Sequence, residues 1–162
     1  MKKINLRDIP EEKWSSPKGK FQGSSKGISV GLGREPLSLD LLKRHPFDVE
    51  VLRVAPGQTP YVFHSHSAQW EFYHVLTGRG TVRHADGRTP IEAGDAFVFK
   101  PGEPHALLNP ATEAGEDLVL YVVADNPIGE TCHYPDSNKW VVRSPERRLI
   151  RSEPLHYYDG EE

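Results

Sequence analysis

Residues 57–78, GQTPYVFHSHSAQWEFYHVLTG, bring two histidines and a glutamate together in a segment with the composition of β-strands. His64 and His66 are two positions apart in a predicted strand. Because successive side chains of a strand alternate between its faces, both imidazoles project from the same face. Residues 67–70 can turn the chain so that Glu71, at the start of the next predicted strand, meets them. The segment therefore predicts part of a metal site.

A second stretch, residues 94–109 (GDAFVFKPGEPHALLN), supplies a third histidine. His105 lies 39 residues after His66, behind a Pro-Gly turn and at the head of another predicted strand. Three histidines and one carboxylate suit Fe, Mn, Ni, Co, Cu or Zn and leave coordination positions for water, substrate or dioxygen. The alternative for the histidines is that they lie inside a barrel with their hydrogen bonds made by the protein. The alternative for Glu71 is a carboxylate that orients a ligand histidine without binding the ion.

The chain around these stretches predicts an all-β fold. Residues 85–88 (ADGR) are typical of a hairpin turn. The predicted strands recur every 8–12 residues or so, which indicates a sandwich or barrel. They are Phe47–Val54, Tyr61–Ser67, Trp70–Leu76, Gly80–His84, Ala96–Lys100, His105–Asn109 and Leu118–Ala124.

Composition narrows the class of protein. A chain of 162 residues with 36% hydrophobic residues is expected to form one domain. The net charge of −3 argues against a nucleic-acid or polybasic membrane binder. The longest apolar run, Leu118–Ala124, is far shorter than the roughly 18 residues of a membrane span, and the first residues lack the apolar core of a signal peptide. A single cysteine, Cys132, excludes an intrachain disulfide. We therefore expect a soluble cytoplasmic protein.

The flanks are predicted to pack on a central barrel. Residues 1–45 form an N-terminal arm with a short strand near Ile28–Val30, and Leu37–Arg44 is either a helical turn or a β-bridge. Residues 46–125 form the barrel core, and residues 126–162 form a C-terminal extension. This extension packs on the barrel or on a partner chain, or is partly disordered. Its predicted contact residues are Trp140, Leu149, Ile150, Tyr157 and Tyr158.

The two quoted stretches resemble the two motifs of the cupin superfamily. The first motif, a glycine followed by H-x-H, glutamate and glycine, is matched by Gly57, His64, His66, Glu71 and Gly78. The second motif is matched by Gly94-Asp95, Pro101-Gly102, His105 and Asn109. Two departures leave the ligand positions untouched. Lys100 stands where the family usually has proline, and Gly57 and His64 are separated by six residues instead of five.

The resemblance implies a double-stranded β-helix, the cupin jelly-roll barrel, with one divalent transition metal ion inside. It implies His64, His66, Glu71 and His105 as the ligands. The chain length and the C-terminal segment HYPDSNKW also look like a subgroup of small bacterial single-domain cupins that is described as sugar-phosphate-isomerase-like. A homodimer is expected, because small barrels of this kind often pair through their outer sheet faces.

Three functions remain open from the sequence. The first is a metal-dependent cupin that binds a small polar molecule, of the sugar-phosphate isomerase or epimerase kind. The second is a non-haem iron dioxygenase, and the third is a non-enzymatic small-molecule-binding cupin. Strand alternation from Glu71 points Tyr73 inward as a candidate catalytic residue, with a half-buried core tyrosine as the alternative. No residue is identified as the general base, and Cys132 is predicted to be inert.

A phosphate group of a substrate would need cationic side chains near the metal. The sequence offers four such side chains at strand or turn positions, where a solvated surface charge is the favoured interpretation. They are Arg53, Arg79, Arg83 and Lys100.

Overall fold

The computed structural model describes residues 1–36, 38–112, 114–142 and 147–161. Two one-turn α-helices, α1 (Ile28–Gly31) and α2 (Leu41–Arg44), lie in the N-terminal arm, and 3₁₀ turns cover Leu6–Asp8 and Pro135–Ser137. The strands are β1 (Glu12–Ser15), β2 (Gln22–Gly27), β3 (Phe47–Val54), β4 (Ser65–His66), β5 (Glu71–Thr77), β6 (Arg79–His84), β7 (Gly87–Glu92), β8 (Ala96–Phe99), β9 (Ala106–Leu108), β10 (Leu118–Asp125), β11 (Thr131–Tyr134), β12 (Lys139–Val142) and β13 (Arg148–Arg151).

The strands form two facing layers of antiparallel sheet. One layer is a six-stranded sheet in the order β1-β2-β3-β10-β5-β8. The other consists of a four-stranded sheet, β13-β12-β11-β4, and a three-stranded sheet, β7-β6-β9. A β-bridge between His64 and His105 joins these two smaller sheets, because His64 directly precedes β4 and His105 directly precedes β9. The architecture is that of a double-stranded β-helix, as predicted.

The interior of the barrel is built in rows that follow from the strand register. Val75, Leu120 and Leu52 are paired across β5, β10 and β3 and are almost completely excluded from solvent. They belong to the apolar core, which also takes in side chains of β6, β7 and β9. The neighbouring rows are more polar and line a cavity. One row is Tyr73, Val122 and Glu50, and the next is Glu71, Ala124 and Asp48.

Asn109 and Asp95 of the second motif have structural roles. The Asn109 side chain is fully buried, and its amide donates to the carbonyl oxygens of Val54 and Glu116 at 3.0 and 2.9 Å. The Asp95 carboxylate accepts the backbone N–H of Glu92 at 2.8 Å and so closes the turn between β7 and β8. Both residues hold the backbone and lie outside the cavity lining.

The N-terminal arm contains more strand than the sequence predicts, and in different places. The predicted strand near Ile28–Val30 is wrong, because this segment is helix α1. There the Ser29 hydroxyl lies against the Asp48 carboxylate and accepts the backbone N–H of Val49, so packing on β3 overrides the local β propensity. The arm instead joins the large sheet through β1 and β2. Of the alternatives for Leu37–Arg44, the structure shows the helical turn α2, while Leu37 itself lies outside the described residues.

The predicted strand Tyr61–Ser67 is shortened to Ser65–His66 plus the bridge at His64. The reason lies in the arm, because the Trp14 indole N–H donates to the carbonyl oxygen of Pro60 at 2.9 Å and its ring stacks on Tyr61 at 5.2 Å. Because Trp14 packs on the first residues of the predicted strand, these residues pair with no neighbouring strand in the part of the chain that the structure describes. Strands β5, β6, β8, β9 and β10 otherwise agree with the prediction to within one or two residues, whereas β7 was not predicted.

The C-terminal extension is ordered as β11, β12 and β13, but most of its predicted contacts with the barrel are wrong. Trp140 is half-buried and stacks on His133 with ring centroids 4.3 Å apart. The other four predicted contact side chains are exposed, two of them on β13, which is the outermost strand and pairs only with β12 among the described residues, and two in the segment that follows it. They are Leu149, Ile150, Tyr157 and Tyr158. Contact with a partner chain stays a prediction, as do the segment boundaries 1–45, 46–125 and 126–162. Within the described part of the chain, no helix has the length and apolar character needed to cross a membrane.

Candidate metal centre

The structure brings all four predicted ligand side chains together inside the barrel. One potential ligand atom from each of His64, His66, Glu71 and His105 lies within 4.8 Å of the others. His64 and His105 face each other in the β-bridge through two backbone hydrogen bonds of 2.8 and 3.1 Å. His66 follows two positions later on the same face, and Glu71 is the first residue of β5. The strand pairing therefore explains how residues 41 positions apart in the sequence meet.

Backbone carbonyl groups fix the orientation of two imidazoles. The His64 Nδ1 lies 2.8 Å from the carbonyl oxygen of Val62, and the His105 Nδ1 lies 3.1 Å from that of Glu103. A carbonyl oxygen only accepts hydrogen bonds, so each Nδ1 carries the proton and donates it. Each Nε2 is then directed to the cluster. Phe99 further holds the His105 ring by stacking at 3.9 Å.

Glu71 is the centre of the cluster. Its Oε2 lies 2.8 Å from His105 Nε2 and accepts the Tyr73 hydroxyl at 2.8 Å, while its Oε1 lies 3.3 Å from His66 Nε2. Burial alone would raise the pKa of Glu71, but its hydrogen bonds and proximity to His105 and His66 hold that pKa well below its ordinary value. The carboxylate is therefore ionised at neutral pH and available as an oxygen ligand.

The residues fit a transition metal ion. His66 Nε2 is buried, and among the described residues its 3.3 Å contact with Glu71 lacks the geometry of a hydrogen bond. A buried polar atom without a good partner is costly, and a metal ion would satisfy it. Burial and the neighbouring His105 lower the pKa of His64 to about 4, so this imidazole is neutral and able to bind a metal.

Glu130 and Cys132 contact the far side of His66 and were not identified from the sequence. The His66 Nδ1 lies 3.3 Å from Glu130 Oε1 and 3.4 Å from Cys132 Sγ. Burial would lower the pKa of His66, but Cys132, Glu130 and Glu71 together raise it to about 11. β11 pairs with β4 and places Cys132 opposite His66, a contact that the sequence did not predict, while its predicted inertness stays a prediction.

Glu130 also holds the chain between β4 and β5. Its Oε1 accepts the backbone N–H of Ser67 at 2.9 Å, and its Oε2 accepts that of Ala68 at 3.0 Å. Burial would raise the pKa of Glu130, but His66 and these backbone donors lower it. The only sequence indication of this role is the alternation of Glu130 and Cys132, which repeats the spacing of His64 and His66.

A cavity of about 670 Å³ opens beside the cluster. Tyr73 points into it as predicted, is buried, and stacks on Phe97 at 5.3 Å. Arg34 also reaches the cavity, where it pairs with Asp48 at 3.0 Å. The four cationic side chains considered for phosphate binding do not line this cavity, in agreement with the surface interpretation. Three of them pair elsewhere: Arg53 with Asp117, Arg79 with Glu92, and Arg83 with Asp136.

Comparison with known proteins relates the barrel to a known family. Residues 50–121 match the family model of the cupin domain. An oxalate-binding protein of Thermotoga maritima is 32% identical over 73 residues, which are 44% of this chain and 59% of that protein. The match therefore spans less than two thirds of this relative.

Solved structures extend the similarity to the flanks. A sugar phosphate isomerase from a cupin superfamily, from Silicibacter pomeroyi, superposes with a TM-score of 0.75 at 24% identity and covers 96% of this chain and 98% of its own. A predicted oxalate decarboxylase of Thermotoga maritima gives a TM-score of 0.59 at 20% identity and covers 78% of this chain and 100% of its own. At these identities the similarity shows the fold.

Proposed function

We propose that this chain, whose residues 50–121 match the family model of the cupin domain, is a metal-dependent enzyme acting on a small polar molecule. The observation that supports this most is the convergence of His64, His66, Glu71 and His105 beside a cavity large enough for such a molecule. We propose these four side chains as the ligands of one divalent ion, through three Nε2 atoms and one carboxylate. On an octahedral ion, four protein ligands leave two positions for substrate or water.

We propose isomerase or epimerase chemistry on a sugar phosphate or a similar polyhydroxy carbonyl compound. A bound divalent ion would supply Lewis-acid polarisation of a substrate carbonyl group. The chain contributes a rigid ligand set, since each imidazole is held on its second nitrogen, and a cavity beside that set for the substrate. The similarity in fold to the sugar phosphate isomerase of Silicibacter pomeroyi over nearly the full length supports this choice.

A second candidate is a metal-dependent binding protein for a small carboxylic acid. The name of the Thermotoga maritima relative, an oxalate-binding protein, favours it. In this case the same ion would hold the ligand carboxylate, and no bond of the ligand would change. The two functions share the metal site and differ in whether the bound molecule turns over.

Hydrogen exchange into the substrate distinguishes these functions. Protein loaded with Mn²⁺, Fe²⁺, Ni²⁺ or Zn²⁺ is incubated in D₂O with glucose 6-phosphate, fructose 6-phosphate and ribose 5-phosphate, and deuterium is followed by NMR. We expect metal-dependent incorporation at the carbon beside the carbonyl group, and none with the His64→Ala/His105→Ala variant.

Two other results would contradict the isomerase proposal. Tight metal-dependent binding of oxalate without exchange into any sugar phosphate would favour the binding protein. Oxygen consumption only with the Fe²⁺ form would favour a dioxygenase.

We further propose that the chain forms a homodimer through the outer face of the large sheet. Phe72 and Val98 are paired across β5 and β8 on this face, and both side chains are exposed. Leu76, four residues after Phe72 on the same face of β5, is exposed as well. β8 is also an edge strand of the sheet. Several exposed apolar side chains beside a sheet edge favour an interaction surface.

A further inference from the structure

We propose that Glu50 is the catalytic residue that transfers a proton to and from the substrate in the barrel cavity. This inference rests on the function proposed above and names the general base that the sequence left open. Glu50 lies on β3, points into the barrel, and lines the same cavity as His64, His66 and Glu71.

The strand register places Glu50 across the cavity from the metal centre. Glu50 pairs with Val122 of β10, which pairs with Tyr73 of β5, and Glu71 lies one row further along β5. Two strand spacings separate β3 from β5, or about 10 Å between backbones. The side chains between them, Val122 and Ala124, are short, so the gap stays open as cavity. A substrate held at the metal centre would therefore lie between Glu71 and Glu50.

The other carboxylates of the cavity, and the Tyr73 hydroxyl, are already engaged. Asp48 pairs with Arg34 at 3.0 Å and contacts the Ser29 hydroxyl. Glu71 belongs to the metal centre, and the Tyr73 hydroxyl donates to it. Glu50, in contrast, forms no ion pair with the residues that the structure describes and is not a proposed ligand. It is therefore the carboxylate best placed to react with a substrate.

The surroundings of Glu50 suit a proton-transfer group. Burial raises its pKa above the ordinary value, and the nearby charges of Asp48 and Glu71 raise it further. Hydrogen bonding to the Ser25 and Tyr61 side chains acts in the opposite direction and lowers it. General acid–base residues work best when their pKa approaches the working pH, and burial is a common way to achieve this for glutamate.

The transfer balances without a further reactant. The Glu50 carboxylate forms an O–H bond to the hydrogen on the carbon beside the substrate carbonyl group. The electron pair of the broken C–H bond becomes a C=C bond, and a pair of the C=O bond moves to the carbonyl oxygen. Return of the proton to the former carbonyl carbon, as the proton of the adjacent hydroxyl group moves to the former carbonyl oxygen and that hydroxyl becomes the new C=O, gives the isomer. Return to the original carbon, after the enediolate has turned its other face to Glu50, gives the epimer. Either regenerates the carboxylate.

The test is deuterium exchange by Glu50→Gln in the metal-loaded protein, with the same three sugar phosphates as probes. We expect exchange at least about 100-fold slower than in the wild type, with unchanged metal content, because loss of a general base typically costs a factor of that order or more. Glu50→Asp should recover part of the rate. The matched control is Glu92→Gln, an exposed glutamate on β7 outside the cavity, which should exchange at the wild-type rate.

A pH profile separates a catalytic role from a structural one. The acidic limb of the exchange rate should lie above the ordinary glutamate range in the wild type and be absent from the residual rate of Glu50→Gln. The ionisable groups facing Glu50 are Asp48, Tyr61, Glu71 and Tyr73. If Glu50→Gln exchanges at the wild-type rate, or shows the same acidic limb, the role of Glu50 is overturned but the proposed function is not. Absence of exchange in the wild type would overturn the proposed function and this role with it.

Discussion

At the residue scale, the metal centre depends on side chains that hold the ligands as well as on the ligands themselves. Glu130 is the clearest example, because one carboxylate contacts the His66 imidazole and accepts two backbone N–H groups of the following turn. Carboxylates that orient a ligand histidine usually matter nearly as much as the ligands. Glu130 acts through His66, so we regard it as a positioning residue.

We predict that Glu130→Gln weakens metal binding about 10- to 100-fold, the range typical for loss of such a partner. The measurement is the dissociation constant for Zn²⁺ or Mn²⁺ by competition with a chelator. Glu12→Gln, at an exposed position on β1, is the matched control and should bind metal as the wild type does. An affinity for Glu130→Gln equal to that of the control would contradict the positioning role.

Metal binding should also release a proton. In the metal-free protein the surrounding acceptors raise the pKa of His66 to about 11, so its imidazole is protonated at pH 7. A metal ligand must be deprotonated, so we predict release of about one proton per ion bound and an affinity that rises with pH. Calorimetry in buffers of different ionisation enthalpy measures this number. Binding with no proton released would contradict the prediction.

At the element scale, turns between strands fix the register that aligns the site. Gly78 lies between β5 and β6 with φ +80°, and a Cβ there would lie 2.2 Å from the carbonyl oxygen of Asp117. We predict that Gly78→Ala lowers the free energy of unfolding by about 1–3 kcal/mol or more, through backbone strain and this clash. Gly57→Ala is the matched control, since its φ is +76° but its Cβ would meet no atom within 4 Å. Chemical denaturation should show the larger loss for Gly78→Ala, and equal losses would contradict the role of the close approach.

Some of the strands could be predicted from the sequence and others could not. Strands β5, β6, β8, β9 and β10 were predictable because alternating apolar residues and Gly-rich turns are local features. Strand β7 was not predicted, because five of its six residues are exposed and only Ile91 is a buried apolar residue. Strand β11 was not, since its four residues take their place from pairing with β4, a contact between distant parts of the chain. Glu130 and Cys132 were missed for this reason. The four proposed ligands were predictable because their motif spacing is local to two short stretches.

At the scale of the whole molecule, the exposed apolar face of β5 and β8 carries the dimer proposal. We predict a particle of twice the 18.2 kDa of one chain by light scattering, and a monomer for Phe72→Glu, because a charge at the centre of an apolar interface is costly to bury. Leu42→Glu, at an exposed position on α2, is the control and should leave the dimer intact. A monomeric wild type, or a Phe72→Glu variant that stays dimeric, would contradict the proposal.

The whole barrel is proposed to bind one metal ion in its interior, and the metal content of the purified protein tests this most directly. Elemental analysis of protein purified without a histidine tag or a chelator should find about one transition metal ion per chain. The His64→Ala/His105→Ala variant, purified in parallel, should contain almost none. A wild-type protein that lacks metal and stays metal-free after incubation with divalent ions, or a variant with equal metal content, would contradict the account.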